Sequence, residues 1–175
     1  MVTKLNVWVN AQGIRNLSSL TGSITGLADG FYMTHAYRTS EEATMLLPSD
    51  KWRLTREEDK YGPGLLYTQT SVFGLPHGKE RLDSRSEEDN VLTLALRLRD
   101  GSIRVYKFNV GKEIRYRGWD EHMEFDADLH LELELDLVII LEEPLPDVIP
   151  AGDADSGFDV EVEPWSDGGD SIIKV

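Results

Sequence analysis

The sequence contains no cysteine and no long hydrophobic run. Without cysteine there can be no disulfide, no thiolate metal site and no cysteine nucleophile. No segment approaches the roughly 18 consecutive apolar residues that a membrane-spanning helix requires. The opening residues, Met1 to Leu5, also lack the apolar core of a secretory signal peptide. We therefore expect a soluble polypeptide that folds without covalent cross-links.

Positive charge is scarce as well. The chain has 18 Lys and Arg against 32 Asp and Glu, a formal net charge of −14. A field of this sign repels phosphate backbones and anionic lipid head groups, so nucleic acid is a poor candidate partner. From residue 142 onward ten acidic residues accompany one basic residue, whereas residues 1–141 carry 22 acidic and 17 basic ones. The acidic excess therefore lies mostly in the C-terminal tail.

Motifs that would indicate catalysis or metal binding are missing. The four histidines are scattered, and there is no HExxH, G-x-S-x-G or Walker sequence. The acidic stretch that starts at Asp153 lacks the glycine and the glutamate of a calcium-binding EF-hand loop. We predict that the protein is not an enzyme and uses no cofactor and no metal ion.

What the sequence does contain is period-two alternation, the pattern of half-buried β-strands. From Leu129 to Leu137 every odd position is Leu and every even position is polar. The alternation breaks at residues 137–141, which suggests a β-bulge or a strand covered on both faces. Pro144 and Pro146 then end the strand.

A second alternating segment, Val91 to Arg99, precedes Asp100-Gly101. This dipeptide predicts a two-residue type I′ hairpin that places Leu98 opposite Ile103. The same register would turn Tyr106 away from the core, so we expect either a bulge near that residue or a strand whose far half is covered on its second face. The polar residues 84–90 before this segment are expected to form a mobile loop.

Further strand candidates are separated by turn-forming residues. They are Lys4 to Asn10, Ser19 to Thr25, Gly30 to Tyr37, Ala43 to Leu47 and Leu65 to Phe73. Seven or more strands predict an all-β sandwich or barrel. We assign residues 1–150 to this β-sandwich domain and residues 151–175 to an acidic linker followed by a strand-forming C-terminal tail.

The tail continues to encode strands after the body of the domain ends. Residues 158–165 alternate in polarity, and a Gly-Gly break separates them from a final apolar segment. A strand outside the body needs a sheet edge to pair with, so we expect the tail to complete its own sheet or to contact a neighbouring subunit. The candidate contact residues are Phe158, Val160, Val162, Trp165, Ile172, Ile173 and Val175.

Two tryptophans are candidates for an exposed aromatic surface. Trp8 alternates out of phase with Leu5, Val7 and Val9, which places it on the outer face of its strand. Packing in the core or against a sheet edge is the alternative interpretation, because tryptophan is usually largely buried. If they are exposed, Trp8 and Trp119 could contact a glycan.

Several segments occur in an order that resembles the fimbrillin superfamily, the anchor, accessory and tip subunits of type V pili in Bacteroidales. These segments are Leu5-Asn6-Val7-Trp8-Val9, Gly22 to Ala28, Ser71-Val72-Phe73-Gly74, the Leu-rich Asp-Gly hairpin, Leu145-Pro146-Asp147 and Gly157 to Trp165. The resemblance implies a Greek-key, transthyretin-like β-sandwich, specifically the C-terminal domain of such a subunit. It also implies a location at the cell surface, on the outer membrane, through a lipid anchor that this chain lacks.

Two functions from different classes follow. The resemblance favours a structural or adhesive subunit of a fimbria whose partners are other fimbrial subunits and which assembles by strand exchange. The alternative is a carbohydrate-binding module of a surface glycan-capture system, with a host or glycan ligand. Glycan binding that disappears when Trp8 or Trp119 is changed to alanine would favour the alternative.

Overall fold

The computed structural model describes residues 2–34, 37–117 and 134–151, together with the backbone of residues 171–173. These residues form strands and four short 3-10 helices. The strands are β1 (Thr3–Ala11), β2 (Leu17–Ala28), β3 (Phe31–Tyr32), β4 (Tyr37–Arg38), β5 (Glu42–Leu47), β6 (Arg53–Arg56), β7 (Gly64–Val72), β8 (Val91–Leu98), β9 (Ile103–Asn109), β10 (Arg115–Tyr116), β11 (Glu134–Ile140) and β12 (Ser171–Ile173). The 3-10 helices span Ile14–Asn16, Ser49–Lys51, Leu82–Ser84 and Glu87–Asp89.

Ten of these strands form two five-stranded sheets. The first sheet has the order β10-β11-β1-β7-β6, the second has the order β12-β9-β8-β2-β5, and β3 and β4 form a separate hairpin. The chain passes from one sheet to the other after β1, β5, β7, β9 and β11. The all-β sandwich of seven or more strands that the sequence predicts is therefore confirmed.

One pairing in the first sheet is parallel. Strand β1 lies between β7, with which it pairs antiparallel, and β11, with which it pairs parallel over seven residue pairs from Lys4–Glu134 to Asn10–Ile140. The other ladders of the described strands are antiparallel. The parallel partner follows β1 by about 130 positions in the sequence, so only the tertiary fold can bring the two together.

The core consists of the alternating apolar side chains that face inward from both sheets. Leu5, Val7 and Val9 on β1 are fully buried, and the leucines of β8 are buried against them from the opposite sheet. Complete burial of a Val, Leu or Ile side chain contributes about 1.5–3 kcal/mol. Such a core accounts for a stable domain in a chain without disulfides.

The β8–β9 hairpin differs from the prediction. Its loop has three residues, and Arg97 rather than Leu98 lies opposite Ile103. Gly101 adopts φ +89° after a turn in which its N–H donates to the Leu98 carbonyl, the pattern of a type I turn with a G1 bulge. The Asp100 carboxylate accepts hydrogen bonds from the backbone N–H and the hydroxyl of Ser102, at 2.9 and 2.6 Å, which stabilises this longer loop.

The one-residue change of register removes the need for a bulge near Tyr106. Tyr106 now lies opposite Leu94, and Phe108 lies opposite Leu92, in an uninterrupted ladder. Both aromatic side chains pack against the core. The predicted bulge is therefore wrong, because it followed from a hairpin register that was wrong by one residue.

The end of β11 also differs from the prediction. The ladder between β1 and β11 runs through residues 137–140 without a bulge. Leu137 and Ile139 are buried, whereas Val138 and Ile140 are 55% and 66% exposed. The apolar run of residues 137–141 thus reflects an apolar outer surface on the first sheet, not a strand covered on both faces.

The polar segment 84–90 is built into the fold by specific hydrogen bonds. Asn90 is buried, and its Nδ2 donates to the carbonyl oxygens of Thr25 and Gly26 at 3.0 and 2.7 Å. The guanidinium of Arg85 is also buried and donates to the Ile114 carbonyl at 2.8 Å. The segment differs from the predicted loop, because it contains the end of the 3-10 helix Leu82–Ser84 and the whole of Glu87–Asp89, and these side chains tie it to β2 and to the region before β10.

A pH-dependent contribution to stability is expected from Asp89 in this segment. Its carboxylate accepts hydrogen bonds from Lys79 Nζ at 2.7 Å and from the Ser86 N–H at 2.8 Å. These two donors hold the pKa of Asp89 below its ordinary value. Because the ionised form is favoured in the folded state, the contribution is present above the unfolded-state pKa and is lost as the pH falls through the folded-state pKa.

We expect Asp89→Asn to lower the free energy of unfolding by about 1 kcal/mol at pH 7. Urea denaturation at pH 7 and near pH 3 measures the difference between the two proteins. The difference should shrink as the pH falls toward the lowered folded-state pKa of Asp89, because the native carboxyl then becomes protonated. An equal difference at both pH values would contradict the ionic explanation.

Candidate functional site

The outer face of the first sheet carries an ordered group of aromatic and polar side chains. In one row across the sheet, Trp8 on β1 lies between Tyr67 on β7 and Val138 on β11. In the next row, Asn6 lies between Gln69 and Asp136. We call this surface the Trp8 face. It consists of Asn6, Trp8, Tyr67, Gln69, Arg117, Glu134, Asp136 and Val138.

The aromatic part of the Trp8 face is partly open to solvent. The ring centroids of Trp8 and Tyr67 are 5.2 Å apart and their planes are tilted by 33°. Both residues are partly exposed, and Val138 next to Trp8 is 55% exposed. The structure places Trp8 on the outer side of its strand, as its phase in the sequence indicates. Its contact with a glycan stays a prediction.

The polar part is organised around Asn6, which is only 1% exposed although it points to the outer side of the sheet. Its Oδ1 accepts from Tyr67 Oη and from Gln69 Nε2, both at 2.8 Å. Its Nδ2 donates to Glu134 Oε2 and to Asp136 Oδ1, both at 3.0 Å. The amide therefore makes all four of its possible hydrogen bonds and links three strands.

Arg117 closes this network beside the tryptophan. Its Nε and Nη2 donate to the two carboxylate oxygens of Asp136 at 2.7 and 2.9 Å, a bidentate pair. Its Nη1 lies 2.6 Å from Glu134 Oε2. The guanidinium carbon is 5.9 Å from the centre of the Trp8 ring. The hydrogen bond to Asp136 is the main cause that raises the pKa of Arg117 above its ordinary value.

Protonation of the Tyr67 phenol is favoured on this face. Partial burial raises its pKa, and the negative charge of Glu134 raises it further. The protonated hydroxyl can therefore keep donating to Asn6 at any physiological pH. As a result the side chains of the Trp8 face are held in one arrangement by contacts among themselves.

A second candidate surface lies at an edge of the second sheet. The strand β12 pairs antiparallel with β9, so that Ser171, Ile172 and Ile173 lie opposite Val105, Arg104 and Ile103. Two of the predicted tail contacts, Ile172 and Ile173, belong to this strand. The remaining positions of β9, residues 106–109, have no strand on this side among the described residues. We call the side of β9 (Ile103–Asn109) that faces β12 the β9 edge.

Several predicted contact residues lie outside the described residues. They are Trp119, Phe158, Val160, Val162, Trp165 and Val175. Of the two tryptophans proposed to contact a glycan, the structure therefore places only Trp8. The polar residues around it were not predicted as site residues, although Asn6, Glu134 and Asp136 share the even-numbered phase of Trp8 on their strands.

Among residues 2–34, 37–117 and 134–151, no group of three or more His, Cys, Asp or Glu side chains could hold a metal ion. Over the same part of the chain, no helix is long and apolar enough to cross a membrane.

Comparisons with known proteins give one distant structural similarity. No protein family model matches the chain, and no curated protein matches it. A solved structure of a proposed adhesin from Bacteroides ovatus is similar with a TM-score of 0.40 and 12% sequence identity. The match covers 83% of this chain and 50% of that protein, so this chain spans half the length of the protein it matches. Similarity at this level does not identify a shared activity.

Proposed function

We propose that this protein is a structural or adhesive subunit of a cell-surface fimbria that joins neighbouring subunits through its C-terminal strand. The observation that carries the proposal is the pairing of β12 with the β9 edge. The same pairing can form within one chain or between two chains, because main-chain hydrogen bonds do not depend on which chain supplies the strand.

The dimensions of the β9 edge support exchange of this strand. Only three of the seven residues of β9 pair with β12. A three-residue ladder contributes little stability, since each hydrogen bond contributes about 0.5–1.5 kcal/mol net. A longer strand from a neighbouring subunit could occupy the whole edge and would displace the short one.

The resemblance of the sequence to the fimbrillin superfamily supports the same function. In that family, subunits assemble at the cell surface by strand exchange, and alternate apolar side chains of the donated strand provide specificity. Residues 158–163 have this alternating pattern. The proposed location is accordingly the outer surface of the outer membrane.

The proposal predicts that the tail is needed for association and not for folding. A chain that ends at Ile149 should melt cooperatively within a few degrees of the full chain, because β12 forms only three residue pairs. The full chain should self-associate as its concentration increases, and the shortened chain should remain monomeric. Sedimentation velocity at an ionic strength of about 0.15 M, where charge repulsion is screened beyond about 8 Å, measures both.

Two full-length variants test whether association requires the pairing of β12 or only the presence of the tail. Ile172→Pro removes a backbone N–H in the middle of β12 and should abolish association. Asp155→Pro, placed in the predicted linker, should leave association unchanged. Unfolding of the shortened chain would mean that the tail only completes its own sheet, and a full chain that stays monomeric at every concentration would also contradict the proposal.

A further inference from the structure

We propose that the Trp8 face is a binding site for a neutral saccharide. A pyranose ring would lie on the surface formed by Trp8, Tyr67 and Val138, and two adjacent hydroxyl groups would contact Glu134 and Arg117. This binding activity is separate from the proposed assembly through the C-terminal strand, since the two surfaces lie on different sheets.

The apolar part of the face matches the C–H side of a sugar ring. Trp8 and Tyr67 pack against each other, with ring centroids 5.2 Å apart and planes tilted by 33°, and both are partly exposed; Val138, on the other side of Trp8, is 55% exposed. Aromatic rings with a partly apolar and partly polar surface are suited to ligands that combine C–H groups with hydroxyls.

The polar part has hydrogen-bonding capacity left on its outer side. Glu134 Oε2 accepts from Asn6 and contacts Arg117, whereas Glu134 Oε1 accepts no hydrogen bond among the described residues. Arg117 donates two of its five N–H groups to Asp136, and its Nη1 also forms an ion pair with Glu134, so that within the described residues further N–H groups are left to donate to a ligand. Its side chain is 51% exposed. An acceptor and donors next to each other fit vicinal hydroxyls, each of which both donates and accepts.

The arrangement is held ready before any ligand arrives. Asn6 fixes both carboxylates and the Tyr67 hydroxyl through its four hydrogen bonds. Arg117 is held by its bidentate pair with Asp136. A ligand would therefore not have to order these side chains, which lowers the entropic cost of binding.

Charge on the face selects the class of ligand. Glu134 and Asp136 are paired with Arg117, and the ladders place Lys4 opposite Glu134, Arg115 opposite Asp136 and Arg53 opposite Tyr67. The carboxylate of a sugar acid would have to compete with Glu134 and Asp136 for Arg117, whereas the hydroxyls of a neutral sugar can bind without breaking these ion pairs. A protein partner would have to bury the Arg117–Asp136 pair, which costs free energy unless new partners replace the water. Each hydroxyl group of a sugar can take the place of one water molecule that hydrates this pair.

The test is a titration of the full-length protein with methyl glycosides of glucose, galactose and mannose and with mannan and xylan, followed by tryptophan fluorescence and calorimetry. We expect at least one neutral saccharide to bind, and Trp8→Ala to weaken binding about tenfold or more. The matching methyl uronide should bind more weakly than the neutral glycoside. Tyr61→Ala, which removes an aromatic ring that is 84% exposed elsewhere, should bind like the native protein.

Additional measurements keep the outcome unambiguous. Thermal melts show whether Trp8→Ala is folded, and if it is not, Val138→Glu tests the same face at an exposed position and should also lose binding. No binding of any neutral saccharide by the native protein would overturn the proposal, as would native affinity in a folded Trp8→Ala variant. If the native protein binds no saccharide and Trp8→Ala loses self-association, the face is instead a contact between subunits. It would leave the tail-deletion result unaffected.

Discussion

Replacing Gly26 by alanine should lower the free energy of unfolding by about 4 kcal/mol or more, a large part of the 5–15 kcal/mol typical of a domain. Gly26 has φ +73°, a conformation that costs an L-residue about 1–2 kcal/mol. An added Cβ would lie 1.9 Å from the carbonyl oxygen of Asp89 and 2.8 Å from Asn90 Nδ2. The segment around Asn90 would have to move away, and its hydrogen bonds to Thr25 and Gly26 would be lost.

Gly78→Ala is the matched control for this prediction. Gly78 also has a positive φ, +86°, but nothing lies within 4 Å of an added Cβ. This variant therefore carries the backbone strain without the steric clash and should lose only about 1 kcal/mol. Chemical denaturation of both variants measures the difference. Equal losses would show that the loop at Asn90 moves aside without cost, contrary to the role assigned to it.

The second large effect is expected from Leu94→Ala. Leu94 is completely buried on β8, opposite Tyr106 and Gly22 in the neighbouring strands. Removal of its three outer carbon atoms leaves a cavity between two sheets whose backbones are fixed by their ladders. Buried leucine-to-alanine changes cost about 2–5 kcal/mol, and the central position of Leu94 in the sheet favours the upper half of that range.

Leu46→Ala removes the same atoms from an exposed position. Leu46 lies on β5 and is 69% exposed, so its replacement should change the free energy of unfolding by about 0.5 kcal/mol or less. The comparison separates burial from the change in residue type. A loss in Leu46→Ala that approaches the loss in Leu94→Ala would indicate that the exposed side of β5 is covered in solution.

The strands and their inward faces could be predicted from the sequence, because a period of two is a local property. The register of the β8–β9 hairpin could not be predicted from this local pattern. Asp-Gly is compatible with both a two-residue and a three-residue loop, and the hydrogen bonds from Ser102 to Asp100 favour the longer one. The aromatic ring of Tyr106 indicates the longer loop, because only that loop places the ring on the same side of the sheet as Leu94 without a bulge.

The parallel partner of β1 could not be predicted. Alternation in β11 identifies its buried residues but not its neighbour in the sheet, and a parallel pair leaves no turn sequence to read. Because the neighbour of β11 is not known from the sequence, the apolar residues 137–141 suggest a bulge or a strand that is covered on both faces. Once β11 lies beside β1, these residues extend the surface that contains Trp8.

The candidate site was predictable only in part. The phase of Trp8 in its strand was enough to place it on the outer side. Asn6 has the same phase and would be expected to be exposed, yet it is buried by Tyr67, Glu134 and Asp136. These partners come from strands far apart in the sequence, so their convergence depends on the register of three strands at once.

The parallel arrangement of β1 and β11 also determines how the domain responds to mechanical tension. When the start of β1 and the end of β11 are pulled apart, the two strands slide along each other. The ladder is then loaded in shear, and its seven residue pairs resist the force together. An antiparallel pair pulled from the same two ends would open one hydrogen bond at a time, like a zip. The central ladder of the first sheet thus acts as a force-bearing clamp between the beginning of the fold and the segment that leads to its last strand.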